Sequence, residues 1–289
     1  MEKKIIIIGG PTAGGKSKFA LKLARKMGTV IINADSQQVY RELPILTAHP
    51  KEEEKKEVPH FLYGFLSVRE KFSAGIWLEN AIRNINEAHA KNLTPILVGG
   101  TGLYLKSLMH GIASIPDIED EVRENARKLL KEIGSKAMHA MLQKRDPETA
   151  AKLKEKDGQR IVRAWEVIEQ TGKSISSWQK QPVETFYGKS QFEGYFINPP
   201  RNELYKKCDK RFEEMINEGA LEEAKKIIEM NLSSELPGMH ALGLSELILF
   251  LREELTLANA VEKAQQATRN YAKRQVTWFR HQLPELTEI

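Results

Sequence analysis

The sequence predicts an α/β fold, a parallel sheet core interrupted by a helical insertion and completed by a helical C-terminal part. Three observations carry this. Short β-branched runs alternate with segments of helical spacing over the first hundred or so residues. A Gly-x-x-x-x-Gly-Lys-Ser loop joins the first run to the first helix, and after His110 no strand pattern returns until Tyr195. Strands joined through helices make parallel sheets covered on both faces, and such sheets bind ligands at the carboxyl ends of their strands.

In chain order, Lys3 to Ile8 reads as a fully buried strand, stopped by Gly9-Gly10-Pro11. Lys16 to Met27 reads as a helix with Phe19, Leu23 and Met27 at spacing four. Val30 to Asn33 is a second strand, Ile76 to Ala90 a helix, and Pro95 to Val98 a third strand ending in Gly99-Gly100. Pro116-Asp117 opens a helix whose Ile118, Val122, Ala126, Leu129 and Ile133 share one face, closed by Gly134. Asp146-Pro147 starts another, a capping aspartate followed by proline at the first helical position, and Asp157 caps a third that runs to Thr171-Gly172. Tyr195 to Ile197 is a late strand ended by Pro199-Pro200, and helices follow at about 202–217, 219–230, 241–253 and 257–281. The expected division is a core of residues 1–113 and 191–289 with a helical insertion at 114–190.

Composition excludes several classes. With 41% hydrophobic and 29% charged residues the chain is that of an ordinary soluble globular protein. The longest aliphatic run, Ile5 to Ile8, is too short to span a bilayer, so a cytoplasmic location without membrane contact is expected. The single cysteine, Cys208, excludes an internal disulfide, and no Cys/His group has zinc-ligand spacing. A formal charge of +5 fits a polyanionic partner without requiring one.

Gly10-Pro11-Thr12-Ala13-Gly14-Gly15-Lys16-Ser17 is a phosphate-binding loop in the right context, between a buried strand and a helix. Glycines let successive N–H groups turn toward phosphate oxygens, and the helix dipole adds positive potential. Lys16 supplies a full charge, and the Ser17 hydroxyl is a ligand for Mg2+. The core is therefore P-loop NTPase-like. Asp35-Ser36-Gln37-Gln38 follows the second strand directly, which puts Asp35 on the rim beside this loop; a simple capping role explains it locally as well. The third strand ends in Gly99-Gly100-Thr101-Gly102, where an ordinary NTPase carries a strand-end aspartate. Three glycines around a hydroxyl suggest close backbone approach to a ligand, with a plain turn as the alternative. Arg211 falls inside the apolar stripe of Leu204, Cys208, Phe212 and Met215. An inward guanidinium needs an anion, either a carboxylate of the protein or a ligand on the rim.

Three basic faces are present. Gln159, Arg160 and Arg163 lie opposite Ile161, Trp165 and Ile168; Arg123, Arg127 and Lys131 form a row at spacing four; Arg269, Lys273, Arg274 and Arg280 flank Tyr271, Trp278 and Phe279. Each alone is an ordinary solvated surface. Together, on a basic chain, they point toward nucleic acid.

These motifs resemble the tRNA dimethylallyltransferases, also called tRNA isopentenyltransferases, of bacterial type. The resemblance spans nearly the whole chain: GPTAGGKS at 10–17, ADSQQVYRELPILTAHP at 34–50, VPH at 58–60, PILVGGTGLYL at 95–105, DGQRIVRAWEVIEQTGKSIS at 157–176 and ATRNYAKRQVTWFR at 267–280. It departs from the pattern at Leu46, His49, Phe61 and Leu244, which bears on the pocket wall. The resemblance implies transfer of the dimethylallyl group of dimethylallyl diphosphate to the exocyclic amine of adenine 37, beside the anticodon of tRNA, by a monomer. It implies Asp35 as general base, with Lys16, Arg211, the loop amides and Mg2+ on Ser17 stabilising the leaving diphosphate. Thr101 would donate a hydrogen bond at the centre of the site. Asp35 to Gln38 and Thr101 would meet the extruded base, and Arg123 with Gln159, Arg160, Ile161, Val162 and Arg163 would hold the anticodon stem-loop. The rival readings are a small-molecule kinase or NTPase using the same loop, and an RNA-binding switch without chemistry.

Overall fold

The computed structural model describes residues 3–289. Elements follow in the order β1 (Ile5–Gly9), α1 (Lys16–Met27), β2 (Ile31–Asn33), α2 (Glu52–Glu57), β3 (His60–Phe61), α3 (Ala74–Ala90), β4 (Ile96–Gly99) and α4 (Gly102–His110). Then come α5 (Asp120–Arg145), α6 (Pro147–Ala150), α7 (Gly158–Thr171) and α8 (Ile175–Gln179). The chain ends with β5 (Phe192–Phe196), α9 (Arg201–Glu218), α10 (Ala220–Glu229), α11 (Leu244–Leu251), α12 (Leu257–Gln282) and β6 (Thr287–Glu288).

The six strands form one parallel sheet in the order β3-β2-β4-β1-β5-β6. β1 lies near its centre, with Ile7 opposite Leu97 of β4 and Gly194 of β5. Side chains alternate along a strand, so the isoleucines of β1 serve two cores. Ile5 and Ile7 pack with Trp77, Leu78, Ile85, Leu105 and Phe279 on one face. Ile6 and Ile8 pack with Ala20, Leu21 and Ala24 of α1 on the other. A strand covered on both faces needs no polar residue, which is why this one reads Ile-Ile-Ile-Ile. A third core lies among α9, α10, α11 and α12, around Phe212, Ala224, Leu244 and Ala264.

Residues up to Met109 together with Phe186–Ile289 form one compact unit, and His110–Thr185 a second. The second is wholly helical, with Ala126, Met138, Leu142, Ala150, Ile161, Val162 and Ala164 as its core. Asp146 accepts a hydrogen bond from the Thr149 amide and Asp157 from that of Arg160, both capping as expected. Three details of this unit differ from expectation, one being the short helix α8, which the sequence reading did not contain. The first helix begins at Asp120 rather than at Pro116-Asp117, leaving Ile118 buried ahead of it. Gly134, at φ 76° and ψ 164°, kinks the helix instead of closing it, and helix resumes to Arg145. α2 went unread because its six residues are all charged, and β3 and β6 because two residues carry no period. Among the described residues no helix is long and apolar enough to cross a membrane.

Candidate active site

The carboxyl end of β1 delivers the chain into the phosphate loop. Gly15, at φ 99°, is the N-cap of α1, and no side chain caps that helix. The first-turn amides of an α-helix have no partner within it, so those of Lys16 and Ser17 stand at an open, electropositive end. The loop braces itself from below. The Gly14 amide donates to the Pro11 carbonyl at 3.1 Å, and Lys16 Nζ donates to the same oxygen at 2.7 Å.

A cavity of about 290 Å3 sits over this end of the helix, lined by Thr12 to Lys18, Asp35, Gln38, Thr47, Ala48, Val98, Gly99 and Arg211. Several loop residues expected to bind diphosphate need correction. Gly10 and Pro11 do not line the cavity. Pro11 has no amide hydrogen, and at Gly10 a Cβ would lie 2.5 Å from the Ile197 carbonyl oxygen, so this glycine serves packing. The Thr12 amide is taken by Gln275 Oε1 at 2.8 Å and that of Gly14 by Pro11. Ala13, Gly15, Lys16 and Ser17 line the cavity with their amides outside these bonds.

Two cations face this cavity. Lys16 is buried, and its pKa is lowered to about 8, mainly by burial, with Asp35 opposing the shift and Arg211 adding to it. Arg211, half-buried on α9, donates from Nη2 to Thr12 Oγ1 at 2.6 Å. Burial pushes its pKa down, partly countered by Cys208 and Asp35. Among the described residues neither cation has a carboxylate within ion-pair distance. Arg211 has neither of the two anions expected for it as a partner among the described residues; its guanidinium reaches the Thr12 hydroxyl on the rim of the phosphate loop.

On the opposite wall, Asp35 follows β2. Its Oδ1 accepts from the Gln37 amide at 3.0 Å and its Oδ2 from the Gly100 amide at 3.3 Å. The local capping bond and the place on the rim thus coexist. Asn33, fully buried, clamps the Asp35 peptide: its Oδ1 accepts from the Asp35 amide and its Nδ2 donates to the Asp35 and Leu62 carbonyls. Burial, with the charge of Asp35 next, pushes the phenols of Tyr63 and Tyr271 up. They remain neutral beside the carboxylate. Gln38 Nε2 is committed to the Thr47 and Ala48 carbonyls at 3.0 and 2.6 Å, while Gln37 Oε1 is buried without a partner.

The glycines of Gly99-Gly100-Thr101-Gly102 are required by the protein's own packing, and Gly99 also lines the cavity. A Cβ on Gly99 would lie 2.0 Å from the Ala34 carbonyl oxygen, one on Gly100 2.2 Å from Gln275 Nε2, and one on Gly102 2.1 Å from the Trp278 ring. Thr101 Oγ1 accepts from the Ser36 amide at 2.8 Å and donates to Ser36 Oγ at 3.1 Å. Its proton is engaged by Ser36, and reaching a substrate requires the hydroxyl to rotate.

The sequence reading gives no site role to Gln275 or Asn33. A signal existed for Gln275: it lies in the buried stripe Ala260, Ala264, Thr268, Ala272, Gln275 and Phe279 of α12, the same anomaly that exposed Arg211 on α9. The four positions that depart from the family pattern lie off the phosphate cavity. Leu46 and Leu244 are core, Phe61 packs on the sheet, and His49 lies edge-on to Tyr63 at 6.1 Å between ring centres.

In the helical unit, Gln159 and Arg160 are exposed on α7. Arg160 lies 3.5 Å from Asp157, and Arg163 3.4 Å from the buried Glu166. Ile161 and Val162 are buried in the unit's core, which removes their side chains from the expected RNA-facing set. Arg123 Nε donates to the Ile118 carbonyl at 3.0 Å. Near the C-terminus Arg269 pairs with Asp209, Arg280 with Glu288, and Arg274 lies over the Tyr271 ring.

A parallel sheet with an open phosphate loop on its rim, two cations and a facing carboxylate defines a core of the P-loop type. The chain belongs to the IPP transferase family, whose model matches residues 38–282. It is 45% identical over 284 residues to the tRNA dimethylallyltransferase of Rickettsia bellii, covering 98% of this chain and 90% of that protein. With the enzyme of that name from Granulibacter bethesdensis it shares 46% identity over 280 residues, covering 97% and 88%. Among solved structures, the full-length tRNA isopentenylpyrophosphate transferase of Bacillus halodurans superposes with a TM-score of 0.71 at 31% identity, covering 99% and 89%. A eukaryotic dimethylallyltransferase described as acting on tRNA gives a TM-score of 0.79 at 28% identity, covering 96% and 70%.

Proposed function

We propose that this chain transfers the dimethylallyl group of dimethylallyl diphosphate to the N6 amine of adenosine 37 in tRNA, releasing diphosphate. The observation that carries the reading is the pair Lys16 and Arg211, two cations over an uncapped helix end with no carboxylate partner among the described residues. Placing two positive charges out of water is costly unless an anion joins them. A diphosphate suits that place, and membership of the IPP transferase family supports a prenyl diphosphate as its source.

An adenine amine is a weak nucleophile because its lone pair is shared with the ring. As N6 bonds to the allylic C1, the C1–O bond breaks and its electron pair leaves with the diphosphate. The N6 proton passes to Asp35, whose two oxygens each accept one backbone hydrogen bond and keep lone pairs for it. The growing charge on the leaving group meets Lys16, Arg211 and the amides of Gly15 to Ser17. Among the described residues no three His, Cys, Asp or Glu side chains gather to cage a metal. The exposed Ser17 hydroxyl beside the loop suits Mg2+ of the kind held by one protein oxygen, substrate phosphates and water. When bound, that ion adds charge stabilisation to the leaving diphosphate. Exposed Gln159 and Arg160, with Arg123 and Arg163, are the candidate anticodon stem-loop contacts, and the working form is a cytoplasmic monomer.

The test incubates the protein and bulk tRNA with labelled dimethylallyl diphosphate, and separately with ATP. Label in adenosine 37 of tRNA is expected. RNA-stimulated ATP turnover without prenylation overturns the reading in favour of an NTPase.

A further inference from the structure

Gln275 is a buried primary amide near the site, 263 residues along the chain from the phosphate loop it touches. Its Oε1 accepts from the Thr12 amide at 2.8 Å and its Nε2 donates to the Gly100 carbonyl at 2.9 Å. A donor on one side and an acceptor on the other fix the amide's orientation, so which end is oxygen follows from the partners.

Each partner is in turn bonded to a group at the reacting centre. Thr12 Oγ1 accepts from Arg211, and the Gly100 amide donates to Asp35 Oδ2. A series therefore runs Arg211, Thr12, Gln275, Gly100, Asp35, joining the cation at the leaving group to the acceptor of the amine proton. Two features argue that the amide is there for this series and not as filler. Its neighbours in the buried stripe of α12 are mostly apolar, Ala264, Ala272 and Phe279, and an amide among them costs stability unless both ends are bonded. Room for it exists only because residue 100 is glycine, since a Cβ there would lie 2.2 Å from Nε2. The Thr12 amide, moreover, is withheld from the anion and spent on holding the loop.

We propose that Gln275 is a positioning residue that sets the spacing between the diphosphate loop and Asp35. This rests on the dimethylallyl-transfer reading of the site. Catalysis by oriented groups is sensitive to displacements near 1 Å, and Gln275 is the one described side chain bonded to both the loop and the Gly100 turn. It touches neither substrate, and it acts through Thr12 and Gly100.

The test compares wild type with Gln275→Met and Gln275→Glu, using dimethylallyl diphosphate and tRNA in single-turnover assays from about pH 5.5 to 9. Gln275→Met keeps the volume and loses both bonds. It is expected to slow transfer at least tenfold and weaken diphosphate binding at least threefold, with the KM for tRNA within threefold of wild type. Gln275→Glu separates spacing from packing. As a carboxylate it repels the Gly100 carbonyl; once protonated it donates there and accepts from Thr12, reproducing the amide. Its rate relative to wild type is expected to rise at least tenfold as pH falls from 8 to 6. A flat ratio, or Gln275→Met within threefold of wild type, overturns the proposal. Failure of both variants to fold overturns it too, by making the amide a requirement of the fold. If wild type itself transfers no prenyl group, the reaction reading fails separately, and the strut is still judged on diphosphate affinity.

Discussion

Raising pH is the most direct probe of Lys16. In the empty protein its pKa is lowered to about 8 by burial. The bound diphosphate stabilises the charged form, so above pH 8 binding must first restore a proton. If only the free protein titrates in the range, the affinity ratio between pH 7 and 9 is (1 + 10) to (1 + 0.1), about tenfold or 1.4 kcal/mol. Calorimetric titration of dimethylallyl diphosphate in buffers of different ionisation enthalpy reads both quantities, with about 0.9 proton taken up per ligand at pH 9. Lys16→Met should bind weakly at both pH values with no uptake from this site. The same shift acts on stability with a definite sign. The folded pKa lies below the unfolded 10.5, so the unfolded chain binds more protons between about pH 8 and 10.5, and stability gains from this group across that window. Below pH 8 the burial cost is carried in full, about 3 kcal/mol. Equal affinities at pH 7 and 9 without buffer-dependent heat refute the argument.

Three further outcomes are expected. Asp35→Asn should slow single-turnover transfer by about two to four orders of magnitude with tRNA affinity retained; a rate within threefold of wild type removes Asp35 as the base. Arg211→Gln should weaken diphosphate binding by about ten- to a hundredfold, the range of a hydrogen-bonded charge, and a shift below twofold in equilibrium titration argues against its role. Arg160→Ala should raise the KM for tRNA and shallow its salt dependence by less than one unit of log–log slope without loss of Tm. Arg163→Ala should do the same but also cost about 1 kcal/mol, because it strips the buried Glu166 of its partner; a melting curve superimposable on wild type contradicts that.

Local signals were the legible ones. α1 reads residue for residue because Gly15 and Gly28 bracket a clear period, and α7 because Asp157 and Gly172 mark its ends. Arg211 stood out as a charge in an apolar stripe, and the structure brings it to Thr12. Long-range pairing hid the rest. Nothing near Thr12 in sequence announces that its amide is spent on Gln275, and nothing near Gly99 announces the Ala34 backbone against it. The packing need behind the glycine run was therefore hidden, although Gly99 does line the cavity. Gly134 misled for another reason: a left-handed glycine commonly ends a helix, but here the chain leaves it at ψ 164° and enters a second helix across a kink.

The order in which the site is encoded has a consequence for its assembly. The phosphate loop, β2 and β4 lie within the first hundred residues, whereas Arg211 and Gln275 arrive from α9 and α12. Translation at about 5–20 residues per second puts roughly 13 to 53 seconds between the synthesis of Thr12 and that of Gln275, 263 residues later. Until residue 211 is made the nascent chain has its glycine loop without the cation beside it, and until residue 275 without the amide that steadies it. A chain interrupted between Phe196 and Gln275 keeps β1 to β5 of its sheet and lacks the strut. Arg211 and Gln275 therefore join the site only after its phosphate loop and the strands β1 to β4 have been made.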